Sequence, residues 1–363
     1  MIRVLQIVTY MGRGGLETMI MNYYRNIDRN KVQFDFLVHR LEEADYDKEI
    51  LSLGGHIYHM PILNPFSKSY FNALNSFFKE HKYDIVHCHL DCMSAYPLKI
   101  AKKNGVKVRI AHSHNKSQDK NLKYPIKLYS KRLIPKYATH LLSCGKEAGD
   151  WMFNGKPYTI LNNAIDAQSY RFDKQIREEM REQLGFNQED FVIGHVGRFN
   201  PQKNHNFIID VFNFVHKKNT AAKLVLVGTG DGQKAIKEKV DSLALSDSVL
   251  FLGKRTDVNK ILQSMDVFLF PSLYEGLPLS IIEAQAAGLP CVISDNVPPE
   301  CIKTDRVFHY SLEKSLDFWA NKIIEAAKIQ KNDTYDEIVD SGFDIKNNAN
   351  KLQNFYTSFC YGE

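Results

Sequence analysis

The sequence predicts an α/β chain of two consecutive domains. Each is a parallel sheet covered by helices on both faces, and the carboxyl ends of the strands face an interdomain cleft. Three observations carry this. Apolar runs and helix-like segments alternate from end to end, the order that βαβ units produce. The alternation restarts at Phe191, after turn-forming residues at 162–166. The 363 residues are also enough for two separate cores.

In the first half, Val4–Thr9 reads as the opening strand and Leu16–Asn26 as the helix that follows. Phe34–Val38, Ile85–His87, Val106–Ala111 and His140–Ser143 supply further strands. Such apolar runs fit strands buried on both faces. Ile160 to Asp166 is a strand leading into a turn, and the linker is expected just after it, dividing the chain into 1–166 and 167–344. The second half offers Phe191–Val196, Lys223–Val227, Val249–Leu252, Val267–Phe270 and Cys291–Ile293 as strands. The tail, about 345–363, reads as a helix over Asn347–Cys360 that packs back onto the first domain.

Bulk properties exclude several classes. Apolar residues make up 44% and charged residues 25%, and the net charge is only +5, so no nucleic-acid partner is indicated. Six cysteines (Cys88, Cys92, Cys144, Cys291, Cys301, Cys360) form no Cys-x-x-Cys, which argues for buried reduced thiols rather than a zinc ribbon or redox site. No run of eighteen apolar residues spans a bilayer, and the first strand is too short for a signal-peptide core, so a cytoplasmic protein is expected.

The most informative stretch is Val267–Phe270 followed by Glu275-Gly276-Leu277-Pro278-Leu279-Ser280-Ile281-Ile282-Glu283. A strand, a Gly-Leu-Pro turn and a helix from about Ser280 place two carboxylates at the carboxyl end of a strand, where open α/β sheets bind ligands. Helix-start amides can take phosphate oxygens. The carboxylates repel phosphate and should meet neutral hydroxyls. A ligand with both groups is a nucleotide sugar. Gly197–His205 follows another strand, and its Arg198 and Lys203 can converge on a diphosphate as planar fork and point charge. Two solvated surface cations are the alternative.

Other strand ends add weaker signals. Leu226–Gly232 ends in a glycine-rich turn at Gly228 that is not the Gly-x-Gly-x-x-Gly fingerprint, and an ordinary tight turn is the alternative. A base can lie over Gly253 beside Lys254 and Arg255. Gly14-Gly15 opens a helix after the first strand, another anion-friendly end. At Ile110–Asn115, His112 or His114 can orient a sugar or accept a hydroxyl proton, with His114 favoured. His87 and His89 read as structural or supporting, and no metal site is expected. The stretch Lys116–Lys136 interleaves Lys116, Lys120, Lys123, Lys127, Lys131, Arg132 and Lys136 with Leu122, Tyr124, Ile126, Leu128, Tyr129 and Leu133. It reads either as a peripheral membrane contact or as a solvated charged face. Asp45-Tyr46-Asp47 imitates an Asp-x-Asp metal motif by coincidence, in an exposed loop and helix.

These motifs together resemble the retaining glycosyltransferases of family 4, with two Rossmann-like domains in the GT-B architecture. The resemblance runs over nearly the whole chain and is strongest in Gly197–Lys203, Gly228–Gly232 and Ser272–Pro290, with Glu275 and Glu283 as the Glu-x7-Glu pair. Gly14–Arg25 and the Ile-Ala-His-Ser-His-Asn run look like bacterial exopolysaccharide and capsule enzymes. The resemblance implies that Arg198 and Lys203 hold the donor diphosphate. It also implies that Glu275 meets the donor sugar, Glu283 the ribose, and the backbone of Gly276, Leu277, Pro278 and Leu279 the sugar and phosphate. His114 would stand near the transferred sugar. Family members often carry Asn-Gly where this chain has Asn163-Ala164, so a positive φ there would strain Ala164.

The expected activity is metal-independent, retaining transfer of a sugar from a nucleoside-diphosphate sugar, expected to be a UDP-sugar, to a hydroxyl of a saccharide or lipid-linked acceptor. The nucleotide sugar is a substrate, and no resident cofactor is expected. A nucleotide-sugar epimerase of the same architecture and a non-catalytic nucleotide-sugar-binding protein are the alternatives.

Overall fold

A computed structural model describes residues 1–115 and 123–361. The chain forms two compact units, one of Met1–Ala164 with Ile345–Glu363 and one of Ile165–Asp344.

The first unit is built on strands β1 (Ile2–Val8), β2 (Val32–Val38), β3 (Ile57–His59), β4 (Ile85–Cys88), β5 (Val108–Ser113), β6 (His140–Ser143) and β7 (Thr159–Ile160). They form a seven-stranded sheet in the order β3-β2-β1-β4-β5-β6-β7, and all its pairings are parallel. Helices on both faces follow from parallel crossovers. One face packs Val4, Phe34, Phe36 and Ile110 against the helix Gly15–Asn26 and against Ile345, Ala349, Leu352 and Tyr356 of the tail helix Ile345–Tyr361. The other packs Leu5, Ile7, Val86 and Ala111 against Leu74, Phe78 and Leu98.

The second unit carries β8 (Phe191–Val196), β9 (Ala222–Val227), β10 (Val249–Gly253), β11 (Val267–Phe270), β12 (Cys291–Ser294) and β13 (Val307–Tyr310), in the order β10-β9-β8-β11-β12-β13 and again parallel. Its order turns back between β8 and β11, and at such a switch point the loops of neighbouring strands diverge to leave a crevice.

The backbone departs from the sequence reading at several points. Val106–Ala111 is displaced to Val108–Ser113, which draws His112 into the strand. The edge strands β3 and β13 were not expected; both are short and half exposed, without an apolar run. Ala164 is buried and lies outside the positive-φ residues, so the missing glycine costs no strain. Asp47 is buried rather than exposed, its carboxylate accepting from the Ala44 N–H at 2.8 Å. Cys88, Cys92, Cys144, Cys291 and Cys301 are buried free thiols.

Candidate functional site

The loops after β8, β9, β10 and β11 rise from the same sheet edge and are stitched together by backbone hydrogen bonds. Gly197 donates to Val227 (2.9 Å), Phe199 to Thr229 (3.1 Å), Gly228 to Gly253 (2.8 Å) and Leu273 to Gln202 (2.9 Å). The glycine-rich turn serves this stitching. Gly228 has φ +136, and a Cβ there would collide with the Gly197 carbonyl oxygen. Cβ atoms at Gly230 and Gly232 would press on the Phe199 backbone. Gly253, with φ +64, and Gly276 both face open space.

On this scaffold Lys203 and Glu275 meet directly. The Lys203 ammonium donates to a Glu275 carboxylate oxygen at 2.7 Å and lies 4.5 Å from the centre of the Phe270 ring. Gln202 Nε2 donates to the other Glu275 oxygen at 3.2 Å. Both charges are largely buried, at 15% and 6% side-chain exposure, so each depends on its partner. The turn that delivers Lys203 is capped by Asn200, whose side chain accepts from the Lys203 N–H at 3.2 Å, and Asn204 takes the left-handed φ of 56°. Asn tolerates that conformation better than most residues.

Arg198 lies on the same loop with its side chain exposed. No hydrogen bond joins its guanidinium to Lys203 or Glu275. Lys254 is exposed on the turn after β10. Leu277 and Leu279 turn their side chains into apolar clusters beneath, leaving only backbone toward a ligand. The helix Leu279–Ala286 is preceded by Pro278 and has no side-chain cap, so its first amides are open to an oxygen ligand. Glu283 lies beyond the first turn of that helix. Burial pushes its carboxyl up, and the Tyr170 hydroxyl donates to it.

Tyr170 has no sequence signal, because it sits on the four-residue helix Ala167–Tyr170 just past the junction. Three other polar groups near this edge also went unread. His195 Nδ1 donates to the Leu269 carbonyl at 2.9 Å, and burial, followed by repulsion from His205 and Lys203, holds its pKa well below the usual histidine value. Its Nε2, both nitrogens of His205 and the Ser272 hydroxyl are buried without partners.

The first unit holds four histidines in contact. His114 lies just past β5, and its ring centre is 4.1 Å from that of His112. His87 Nε2 is 3.1 Å from His112 Nδ1, and His89 Nδ1 is 2.9 Å from His114 Nε2. Gly14 and Gly15 lie at the start of Gly15–Asn26, but that start already faces acids. The Glu17 carboxylate occupies the space where a Gly14 Cβ would lie, and Asp45 accepts from the Arg13 N–H at 3.2 Å.

A cavity of about 500 Å³ opens at the carboxyl edge of the first sheet, lined by Thr9, His39, Leu63, Phe66 and Leu90, with Arg40 and Lys127 also lining it. Lys116, Lys120 and Leu122 lie outside the described residues. Of the rest of the basic stretch, Lys131 is committed to the fold: it bonds the Trp151 carbonyl and lies 4.3 Å from the Trp151 ring centre. Among the described residues no helix is long and apolar enough to cross a membrane.

Solved structures share this architecture along the whole chain. Alr3699/HepE of Anabaena, crystallised in complex with UDP, matches with a TM-score of 0.81 at 17% identity, covering 99% of this chain and 100% of that one. WaaG, a glycosyltransferase involved in lipopolysaccharide biosynthesis, gives 0.69 at 16% identity over 99% and 100%. The fold is therefore that of the GT-B glycosyltransferases. The family model for Glycosyltransferase Family 4 matches residues 13–169, and that for glycosyl transferases group 1 matches residues 176–338. The Bacillus subtilis (strain 168) protein EpsF is 35% identical over 98% of this chain and 96% of its own length. The UDP-Gal:alpha-D-GlcNAc-diphosphoundecaprenol alpha-1,3-galactosyltransferase of Escherichia coli is 27% identical over 78% of each chain. The chain belongs to glycosyltransferase family 4.

Proposed function

We propose that the protein transfers a sugar, with retention and without a metal ion, from a UDP-sugar to a hydroxyl of a saccharide or lipid-linked acceptor, in the synthesis of an exopolysaccharide or capsule. The buried Lys203–Glu275 pair at the strand-end crevice of the second unit carries this reading. A cation beside an acid, with open helix amides next to them, matches a ligand in which phosphate adjoins hydroxyls. Arg198 and Lys203 hold the diphosphate, with the backbone of Gly228 and Gly276–Leu279 close by. Glu275 takes the sugar hydroxyls, and Glu283, aligned by Tyr170, takes the ribose. Gly253 and Lys254 flank the base. His114 serves a substrate hydroxyl from the first unit, and a donor contact at Gly14 and Gly15 requires Glu17 to move aside.

In the reaction the bond from the anomeric carbon to the diphosphate oxygen breaks as the acceptor oxygen bonds the same face of that carbon. The acceptor proton passes to an oxygen of the departing diphosphate. Fixed cations and amides aimed at that developing charge supply the main catalytic effect. The lipid-linked acceptor is supported by the Escherichia coli relative, whose name specifies a diphosphoundecaprenol acceptor. The apolar cavity flanked by Arg40 and Lys127 also suits a lipid with an anionic head.

The test is a panel of nucleotide sugars screened by thermal shift in EDTA, because a ligand of the native state raises the melting temperature by mass action. A UDP-sugar should stabilise the wild type, and Glu283→Gln should weaken that stabilisation. Transfer to a lipid-linked saccharide should then proceed in EDTA with the anomeric configuration kept. Stabilisation by no nucleotide sugar, or conversion of the donor without acceptor, would overturn the assignment.

A further inference from the structure

We infer that Gln6 and Tyr356 are positioning residues that fix the tautomers of His114 and His112, so that His114 presents a bare nitrogen lone pair and His112 an N–H. The role this gives His114 rests on the transferase reading above; the tautomer pattern does not.

Parallel pairing brings these groups together. Gln6 on β1 is level with His87 on β4, and His87 is level with Ile110 on β5. His87 and His89, like His112 and His114, are two residues apart, so along extended chain each pair shares one side of the sheet. Tyr356 reaches the group from the tail helix, 350 residues from Gln6 in sequence.

A neutral imidazole has one donor and one acceptor, and this makes the hydrogen bonds directional. Gln6 Oε1 only accepts, so His89 Nε2, 2.9 Å away, carries the hydrogen. His89 Nδ1 is then the acceptor for His114 Nε2–H at 2.9 Å. That leaves His114 Nδ1 bare, and it is buried without a partner. The other branch starts from Gln6 Nε2, which donates to the Tyr356 hydroxyl at 3.5 Å. The hydroxyl donates to His87 Nδ1 at 2.6 Å, and His87 Nε2–H donates to His112 Nδ1 at 3.1 Å. His112 Nε2–H is left over, also buried without a partner. One amide thus sets two open ends of opposite character, and turning it over would exchange them.

The same burial keeps the rings neutral, as the scheme requires. Desolvation, with mutual repulsion in His87, pushes His87 and His114 down to about 3 and lowers His89 and His112 as well. Nitrogens of His87, His89 and His112 lie within 4.8 Å of one another, a spacing a metal could use. The hydrogen bonds already pair the inward nitrogens, so the cluster needs no ion to satisfy it. Buried polar atoms are rarely left unpaired in native proteins, so the two open ends are where a ligand's hydroxyls complete the network.

Long-range ¹H–¹⁵N correlation spectra of the labelled full chain read each ring's tautomer without substrate. All four histidines should be in the Nε2–H form. Gln6→Leu should convert His89 and His114 to mixtures, whereas Tyr356→Phe should disturb His87 and His112 and leave His114 unchanged. In transfer assays Gln6→Leu should lower kcat about tenfold while the donor KM stays within about twofold, and Gln6→Glu, which keeps an acceptor oxygen, should restore most of kcat. His114 remaining Nε2–H in Gln6→Leu, or a mixture in the wild type, overturns the relay. If Gln6→Leu does not fold, Tyr356→Phe and Gln6→Glu decide the same point. Wild-type protein that transfers no sugar yet shows the Nε2–H pattern refutes the enzyme reading and leaves the relay standing.

Discussion

The carboxyl edges of the two sheets are furnished in opposite ways. At the ends of β4 and β5 the polar groups are imidazoles that burial keeps neutral, and they pair with one another, with Gln6 and with Tyr356, leaving His112 Nε2 and His114 Nδ1 open. At the ends of β8 and β11 they are an ammonium and a carboxylate 2.7 Å apart. A neutral network can be buried at modest cost provided every donor finds an acceptor. A charge can be buried only with its counter-charge. Damage to the two edges should therefore differ in size and in pH response.

Removing one partner of the ion pair should have the largest effect. Lys203→Ala leaves Glu275 buried and uncompensated, which should cost about 3–5 kcal/mol in urea unfolding. Transfer should fall with it. The double variant Lys203→Met with Glu275→Gln should recover most of the stability and none of the transfer. If Lys203→Ala is as stable as wild type, the two charges do not depend on each other, and the contrast between the edges collapses.

The histidine edge should reveal itself through acid. An unfolded histidine titrates near its ordinary value of about 6.5, whereas folded His87 and His114 titrate at about 3. Between those values the unfolded chain binds protons that the native state refuses. The contribution of these rings should be level above pH 6.5 and fall below it, by roughly 1.4 kcal/mol per pH unit for each such histidine. His195, lowered well below its usual value, and His205, at about 4, add to the same slope from the second unit. Glu283, raised by burial, works against the slope, because its folded proton is lost only as pH rises. Unfolding midpoints from pH 5 to 8 measure the total, and His114→Gln should make the fall shallower. A profile level down to pH 5 would show that these rings are not held neutral.

The two edges also differed in how far the sequence disclosed them. β1, β2, β4, β8, β9 and β11 were legible because strands buried on both faces are rich in apolar residues even where a polar residue such as Gln6 or His87 interrupts them. β3 and β13 have no such run. Lys203, Glu275 and Glu283 were legible because βαβ order forces the loops after β8 and β11 to one edge, whatever the details of packing. His87 and His89 could be read as supporting groups, but not what they support. Gln6 and Tyr356 are unremarkable in sequence, and their role exists only once the tail helix reaches β1 and β4. Tyr170 was hidden for the same reason, since a local pattern cannot register a hydrogen bond to Glu283 more than a hundred residues away.

Glycines separate the edges on a finer scale. Gly228 cannot accept a side chain: its φ is +136 and the Gly197 carbonyl fills the Cβ position. Gly228→Ala should cost roughly 1–3 kcal/mol and loosen the loop that carries Arg198 and Lys203. Gly15 at the first edge is different. It is exposed, lies outside the positive-φ range, and a methyl group added there would meet no atom within 4 Å. Alanine suits a helix start better than glycine, so Gly15→Ala should change stability by no more than about 0.5 kcal/mol, in the stabilising direction if at all. That small effect makes it a clean probe of the substrate side. A fall in donor affinity at unchanged stability would place a ligand against Gly15 and require Glu17 to swing away. Unchanged affinity would leave donor binding to the charged edge of the second unit.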